Sequence, residues 1–109
     1  MKLESNFFSM IGLATKAGAC MFGAFAVEKG VKSGKIVLVV ADEGLSPAAT
    51  KTAKNMCEYY DVPLIFAGEE GRLGRACGRP ANKWVGITGK GFADRLLAIC
   101  EAGKACPKE

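Results

Sequence analysis

The chain has 109 residues, enough for one domain that buries a core without disulfides or metals. Hydrophobic residues make up 50% of it and charged residues 24%, an ordinary globular balance, and its net charge of +4 permits an anionic partner without requiring one. Because the sequence contains no histidine, catalytic triads and metal sites that depend on histidine are excluded.

The N-terminus predicts a helix followed by a short extended segment. Ser5 is the predicted N-cap of a helix that runs to about residue 17. Its apolar residues recur at three- and four-residue steps and form one face: Phe7, Phe8, Ile11 and Ala14. Residues 20–22 are too few for an independent strand but can pair at the edge of a sheet.

The middle of the chain predicts two helices on either side of a buried strand. The first of the two starts at Gly23, runs to about residue 33 and carries Val27 and Val31 on one face. Residues 36–41 read IVLVVA, a run typical of a strand that is buried on both faces. Ser46 and Pro47 then mark the start of a helix that reaches about residue 60.

The remaining elements alternate in the same way. A strand is predicted at 63–67, a short helix at 69–77, a strand at 84–88 and a last helix at 91–102. Strands that alternate with helices indicate one sheet of about four strands with helices on both faces. We expect a single domain over residues 1–102 and a frayed tail over 103–109.

The cysteines suggest a reducing environment. There are five of them, an odd number, and no two form a C-x-x-C pair, so neither a zinc site nor a disulfide framework is expected. Cys57, Cys77 and Cys100 fall in apolar helical patterns, where a free cysteine acts as a small hydrophobe. This usage predicts a cytoplasmic location. A leader peptide is the alternative reading of the first apolar run, and Glu4 and Lys16 oppose it.

Few residues suggest catalysis. Asp42 and Glu43 end the predicted central strand at its carboxyl edge, where ligands sit in open α/β sheets. The pair could bind a metal or a small ligand, but a solvated turn before Ser46 is favoured because no third ligand or base lies nearby in sequence. The glycines match neither the dinucleotide nor the Walker pattern. We therefore expect no enzymatic activity, no metal and no cofactor.

Basic residues carry the stronger functional signal. They form two stripes at helical spacing, one on the predicted second helix and one on or just past the short helix: Lys29 and Lys32, then Arg72, Arg75 and Arg79. Two such stripes on neighbouring elements could bracket a phosphate backbone, although a solvated helix face explains the spacing equally well. The helix start at Gly23 adds exposed N–H groups that suit a phosphate.

Six strings along the chain carry a family resemblance. They are IGLATKAG, the FG that enters the second helix, SGKIVLVVADEGLSP, CEYYDVP, LGRACG and VGITGKGFADRLL. In this order, from residue 11 to about 99, they resemble the ribosomal protein L7Ae/L30e superfamily and within it the short bacterial YlxQ-type proteins. The resemblance implies a three-layer α-β-α sandwich with one mixed sheet of about four strands, and RNA as the partner, often at a kink-turn.

In that family the start of the second helix reads the RNA with a glycine, an asparagine–glutamate pair and a lysine. Gly23 matches the glycine, Lys29 the lysine, and Ala24 the small position after the glycine. Phe25 and Ala26 stand where the family has the pair, and neither can hydrogen-bond a base edge. Phe25 could instead stack on a base, worth about 1–3 kcal/mol, or lie in the core.

A loop and a face complete the expectations. Residues 78–83 match the family's loop that shields a flipped-out nucleotide, but they are more polar than such a loop needs. The predicted RNA face is the edge formed by residues 23–29, 42–45 and 68–83. The predicted RNA-contacting residues are Gly23, Ala24, Phe25, Ala26, Lys29, Lys32, Glu43, Arg72, Arg75, Arg79, Asn82 and Lys83.

Two hypotheses for function remain open at this stage. The first is a binder of structured, kink-turn-like RNA that associates with the ribosome. The second is a protein-interaction module that kept the fold and lost the RNA motif, with Met21, Phe22 and Phe25 as an exposed apolar patch. The missing asparagine–glutamate pair favours the second, whereas the retained Gly23, Lys29 and arginine stripe favour the first.

Overall fold

The structure is a computed structural model that describes residues 3–42, 44–66, 72–78 and 83–103, with the side chains of 3–6, 72, 76–77 and 100–103 left aside. The helices are α1 (Leu3–Lys16), α2 (Ala24–Lys32), α3 (Pro47–Tyr60), α4 (Arg72–Cys77) and α5 (Lys90–Gly103). The strands are β1 (Cys20–Phe22), β2 (Leu38–Ala41), β3 (Leu64–Phe66) and β4 (Trp84–Ile87). Each predicted element is present, in the predicted order.

The described strands form one mixed sheet in the order β1-β4-β2-β3. β2 pairs in parallel with β3, in a register that sets Val40 opposite Ile65. β4 pairs antiparallel with both β1 and β2, so that Gly86 lies between Met21 and Val39. The short segment at 20–22 is therefore an edge strand, as predicted.

Helices cover both faces of this sheet. β2 is buried along its whole length, because alternate side chains serve two separate cores. Leu38 and Val40 face the core that α1, α4 and α5 complete, while Val39 and Ala41 face the core that α2 and α3 complete. The predicted three-layer α-β-α sandwich is confirmed, as is the apolar face of α1, whose Phe7, Phe8, Ile11 and Ala14 are all buried.

The ends of two helices test the local predictions. The hydroxyl oxygen of Ser46 accepts a hydrogen bond from the N–H of Ala49 at 3.1 Å, and Pro47 is the first residue of α3, as predicted. The prediction that Ser5 caps α1 is wrong, because α1 begins at Leu3 and Ser5 lies inside it. Leucine and glutamate are good helix formers, so the helix extends past the serine.

Two cysteines have described side chains, and both are free thiols. Cys57 is buried in the core under α3, as its helical pattern predicted, and Cys20 is half-buried on β1. Burial raises the pKa of the Cys57 thiol to about 11. Cys77 and Cys100 lie outside the residues whose side chains are described. Among the described helices, none has both the length and the apolar character that crossing a membrane requires.

Candidate nucleic-acid interface

α2 starts at a glycine whose conformation other residues rarely adopt. Gly23 has φ 91° and ψ 151°, and a Cβ added to it would meet no atom within 4 Å. The backbone conformation therefore requires glycine here, while the space around it stays open. The N–H of Gly23 donates to the Trp84 carbonyl at 3.2 Å, and its carbonyl accepts from the N–H of Val27 at 2.9 Å. The first-turn N–H groups of α2 have no partner within the helix and lie beside this opening.

Three segments meet at this edge of the sheet. The start of α2 is joined to the start of β4 by the Gly23–Trp84 bond, and the N–H of Asp42 donates to the Lys83 carbonyl at 3.0 Å. The Lys83 ammonium donates to the Gly44 carbonyl at 3.3 Å. The start of α2, the turn after β2 and Lys83 thus lie together, as the predicted RNA face requires of them.

Asp42 organises the turn after β2. Its side chain is completely buried, and its Oδ2 accepts from the N–H of Gly44 at 2.8 Å. Its carbonyl also accepts from the N–H of Leu45 at 3.2 Å. Glu43, the other member of the predicted acidic pair, lies outside the described residues. Within the described part of the chain, no three histidine, cysteine, aspartate or glutamate residues gather into a metal-binding group. The Asp42 carboxylate therefore stabilises the turn by accepting a hydrogen bond from its backbone.

Phe25 points away from the core. Its side chain is 75% exposed, whereas Val27 and Val31 on the same helix are buried. The ammonium nitrogen of Lys29 lies 5.5 Å from the centroid of the Phe25 ring. Such a cation–π contact at an exposed site is worth about 0.5–1 kcal/mol. The two residues that the sequence placed at the Asn and Lys positions of the motif therefore form one exposed aromatic–cationic pair.

The other basic residue of α2 has a different partner. The Lys32 ammonium lies 3.1 Å from a carboxylate oxygen of Glu28, and both side chains are about half exposed. The hydrogen bond that the Lys32 ammonium donates to the Glu28 carboxylate, together with the attraction of that negative charge, raises the pKa of Lys32. The charges of Lys29 and Lys32 are thus one helical turn apart, as predicted, but Lys32 is engaged by an acid and Lys29 by an aromatic ring.

A cleft of about 370 Å³ runs along this exposed side of α2. We call it the α2 cleft, and its lining residues are Met21, Phe25, Ala26, Lys29, Gly30, Ser33 and Lys35. Of these, Met21, Gly30, Ser33 and Lys35 were missed as site residues. Phe25, Lys29 and Ser33 follow one another at four-residue steps, a spacing that marks one helix face and was the available signal. Ala24, which was predicted at the site, is exposed outside the cleft.

The predicted arginine stripe is described only in part. Arg75 is exposed on α4, which packs against α1 and therefore lies in the layer opposite α2. Arg72 belongs to α4, but its side chain is outside the described residues, as are Arg79 and Asn82. Bracketing of one phosphate backbone by both stripes stays a prediction.

The alternative apolar patch is not present as predicted. β1 sends its side chains alternately to the two faces of the sheet. Met21 packs against the core under α2 and α3, and Phe22 packs against the core under α1 and α5. Of the three predicted members, Phe25 is exposed, whereas Met21 and Phe22 are partly buried, so the three do not form the exposed patch that was predicted.

Comparisons with known proteins agree on one family. Residues 5–97 match the ribosomal protein L7Ae/L30e/S12e/Gadd45 family. The RNA-binding protein YlxQ of Bacillus subtilis (strain 168) is 30% identical over 96 residues, which cover 88% of this chain and 96% of that protein.

Solved structures share the fold. A protein of unknown function from Bacillus halodurans C has a TM-score of 0.83 and 28% identity, over 87% of this chain and 96% of that one. The 15.5 kD RNA-binding protein of Giardia lamblia has a TM-score of 0.77 and 23% identity, over 96% of this chain and 90% of that one. The second likeness is one of fold alone.

Proposed function

Since the chain belongs to the ribosomal protein L7Ae/L30e/S12e/Gadd45 family, we propose that it is an RNA-binding protein without catalytic activity, whose target is a structured, kink-turn-like RNA. The observation that carries the proposal is the start of α2, where Gly23 opens the backbone and Phe25 and Lys29 form an exposed pair. The curated relative that covers nearly the same length is itself named an RNA-binding protein.

The chemistry of this edge suits a polyanion. Open N–H groups at a helix start favour a phosphate, and Lys29 and Lys83 add positive charge from two different segments. The chain as a whole carries a net charge of +4. RNA binding built on such contacts releases counterions, so affinity is expected to fall steeply as salt rises.

The mode of recognition differs from one that reads base edges. The side chains of Phe25 and Ala26 offer no hydrogen-bond donor or acceptor, so they cannot distinguish bases by their edges. A phenyl ring stacks on any base, because every base has a π-face. The proposed protein therefore recognises the shape of a folded RNA and its unstacked bases, with relaxed sequence preference.

The proposed contact residues fall into two groups. Those with described side chains or backbone at the edge are Gly23, Ala24, Phe25, Ala26, Lys29 and Lys83, with Lys32 and Arg75 further away. Those that rest on sequence alone are Glu43, Arg72, Arg79 and Asn82. The same proposal includes association with the ribosome, which rests on the family. It also includes a cytoplasmic location, which rests on the odd number of cysteines and the lack of C-x-x-C spacing in the sequence.

The test is a titration of the protein with a kink-turn RNA and with a plain RNA duplex of equal length. Filter binding at salt concentrations of about 50 and 200 mM separates the charge contribution from the shape contribution. The expected result is tighter binding of the kink-turn RNA at both concentrations. Equal binding of both RNAs would show that the protein binds RNA nonspecifically and would contradict the proposed preference for kink-turn RNA. Binding of neither would overturn the proposed function.

A further inference from the structure

We propose that the α2 cleft holds one unpaired nucleobase of the bound RNA, stacked on Phe25, with the adjoining phosphate held by Lys35. This inference rests on the proposed function and adds a contact that the start of α2 does not supply. The nine residues of α2 extend along the cleft, and Ser33 and Lys35 lie beyond the end of the helix opposite Gly23.

The walls of the cleft fit a flat aromatic ring. Phe25, which is 75% exposed as a residue, forms one side, while Met21, Ala26 and Gly30 contribute small or apolar surface. Gly30 is buried, and the Met21 sulfur packs where its side chain would lie, so the two residues form an apolar floor of the cleft. The volume of about 370 Å³ is at the small end of ligand pockets, as one nucleotide requires.

The charges around the cleft favour an anion. Among the described residues, its lining includes Lys29 and Lys35 and no aspartate or glutamate. The acid nearest in sequence, Glu28, is paired with Lys32 at 3.1 Å. A neutral apolar segment of a protein would bury these two ammonium groups without compensating their charge, which is costly. A base that carries its own phosphate satisfies both the apolar walls and the cationic rim.

Binding of the base requires a small rearrangement that chemistry favours. In the free protein the Lys29 ammonium lies over the Phe25 ring. Stacking of a base on an aromatic ring is stronger than a cation–π contact at an exposed site, so the base displaces the ammonium. Lys29 is then available to the phosphate backbone near Gly23, while Lys35 holds the phosphate of the stacked nucleotide.

The test compares two RNAs and three single variants. The RNAs are the kink-turn RNA, which contains unpaired nucleotides, and the fully paired duplex. Phe25→Leu and Lys35→Ala are each expected to weaken binding of the kink-turn RNA, Phe25→Leu by about tenfold, and to weaken duplex binding by a smaller factor. Tyr59→Leu is the matched control, because Tyr59 is 81% exposed on α3 and is not part of the cleft.

A fluorescence experiment reports on stacking directly. Trp84 is the single tryptophan of the chain and is buried, so Phe25→Trp adds one exposed indole, and the wild-type protein measures the contribution of Trp84 alone. The kink-turn RNA is expected to quench this added fluorescence, and the duplex is not. If the wild type binds the kink-turn RNA and neither Phe25→Leu nor Lys35→Ala weakens that binding, the proposed nucleobase site in the α2 cleft is overturned. The proposed function would still stand. Wild-type protein that binds no RNA would overturn both.

Discussion

Ile36 lies directly against the backbone of Gly30, and its N–H donates to the Gly30 carbonyl at 3.1 Å. A Cβ on Gly30 would lie 2.7 Å from Cγ1 of Ile36 and 2.9 Å from the sulfur of Met21. Alanine gains about 1 kcal/mol over glycine in a helix, but overpacking a core costs about 1–3 kcal/mol. Because Ile36 is buried and Met21 is paired within the sheet, neither can move away easily, and we expect Gly30→Ala to lower the free energy of unfolding.

Urea unfolding followed by Trp84 fluorescence measures this effect. Gly91→Ala is the matched control, because Gly91 is exposed in α5 and a Cβ there would meet nothing within 4 Å. That substitution is expected to stabilise the protein by up to about 1 kcal/mol. Stabilisation by both substitutions would show that Gly30 is not a packing glycine.

A second prediction concerns Lys29 and the salt dependence of RNA binding. Lys29→Ala is expected to weaken binding of the kink-turn RNA and to reduce the slope of log K against log salt by about 0.9, the value for one lost phosphate contact. Lys90→Ala makes the same change of charge on α5, which begins beyond the opposite end of β4, and is expected to leave the slope unchanged. Equal slopes for the two variants would contradict a contact at Lys29.

A third prediction asks whether Arg75 contacts the same RNA. Arg75 and Lys29 belong to opposite layers of the sandwich, so their effects should be independent if both reach the phosphate backbone. For the double variant Lys29→Ala with Arg75→Ala, the decrease in the slope of log K against log salt is then expected to be about twice that for Lys29→Ala alone. The midpoint of thermal unfolding is expected to stay unchanged. If the double variant binds RNA with the same salt slope as Lys29→Ala, Arg75 does not contact the RNA and the arginine stripe is not part of the interface.

Much of the fold was predictable because periodicity reports burial. The apolar run at 36–41 indicated a strand buried on both faces, and Ser46 with Pro47 indicated the start of α3 by local chemistry alone. The start of α1 was mispredicted at Ser5 because a polar residue near a helix end can cap the helix or lie inside it. Local sequence does not decide between these two positions.

The site was predictable in position but only in part in composition. The glycine and lysine of the motif located α2, and the structure places Gly23 at its N-cap and Lys29 in its last turn. Whether Phe25 faced outward depended on the orientation of α2, which Val27 and Val31 set by packing on the sheet. The α2 cleft needed still more, because it arises only when Met21 of β1 and Lys35 of the following turn come beside the helix. These contacts are tertiary and leave no periodic signal.

A fourth prediction tests the structural role of Asp42 in the turn after β2. Asp42→Ala removes the acceptor of the Gly44 N–H, and an unsatisfied buried donor costs about 1–3 kcal/mol. Asp42→Asn keeps an acceptor oxygen in the same place and is expected to cost less in urea unfolding. Asp94→Ala is the control, because Asp94 is an exposed partner of Lys90 and its loss should cost little. Equal destabilisation by Asp42→Asn and Asp42→Ala would point to a need for the charge itself.

The last prediction concerns the buried thiol of Cys57. Burial raises its pKa from the ordinary 9.0 to about 11, so the folded state holds this proton more tightly than the unfolded state does. The contribution of the thiol to stability is therefore constant below pH 9 and is lost as the pH rises toward 11. We expect the free energy of unfolding to fall over that interval, and more gently in Cys57→Ala than in the wild type.

At pH 8 the raised pKa lowers the thiolate fraction of folded Cys57 by about two orders of magnitude, which should make its alkylation by iodoacetamide slow until urea unfolds the chain. Alkylation of folded Cys57 at the rate seen in urea, measured by peptide mass spectrometry, would mean that α3 does not cover the thiol in solution.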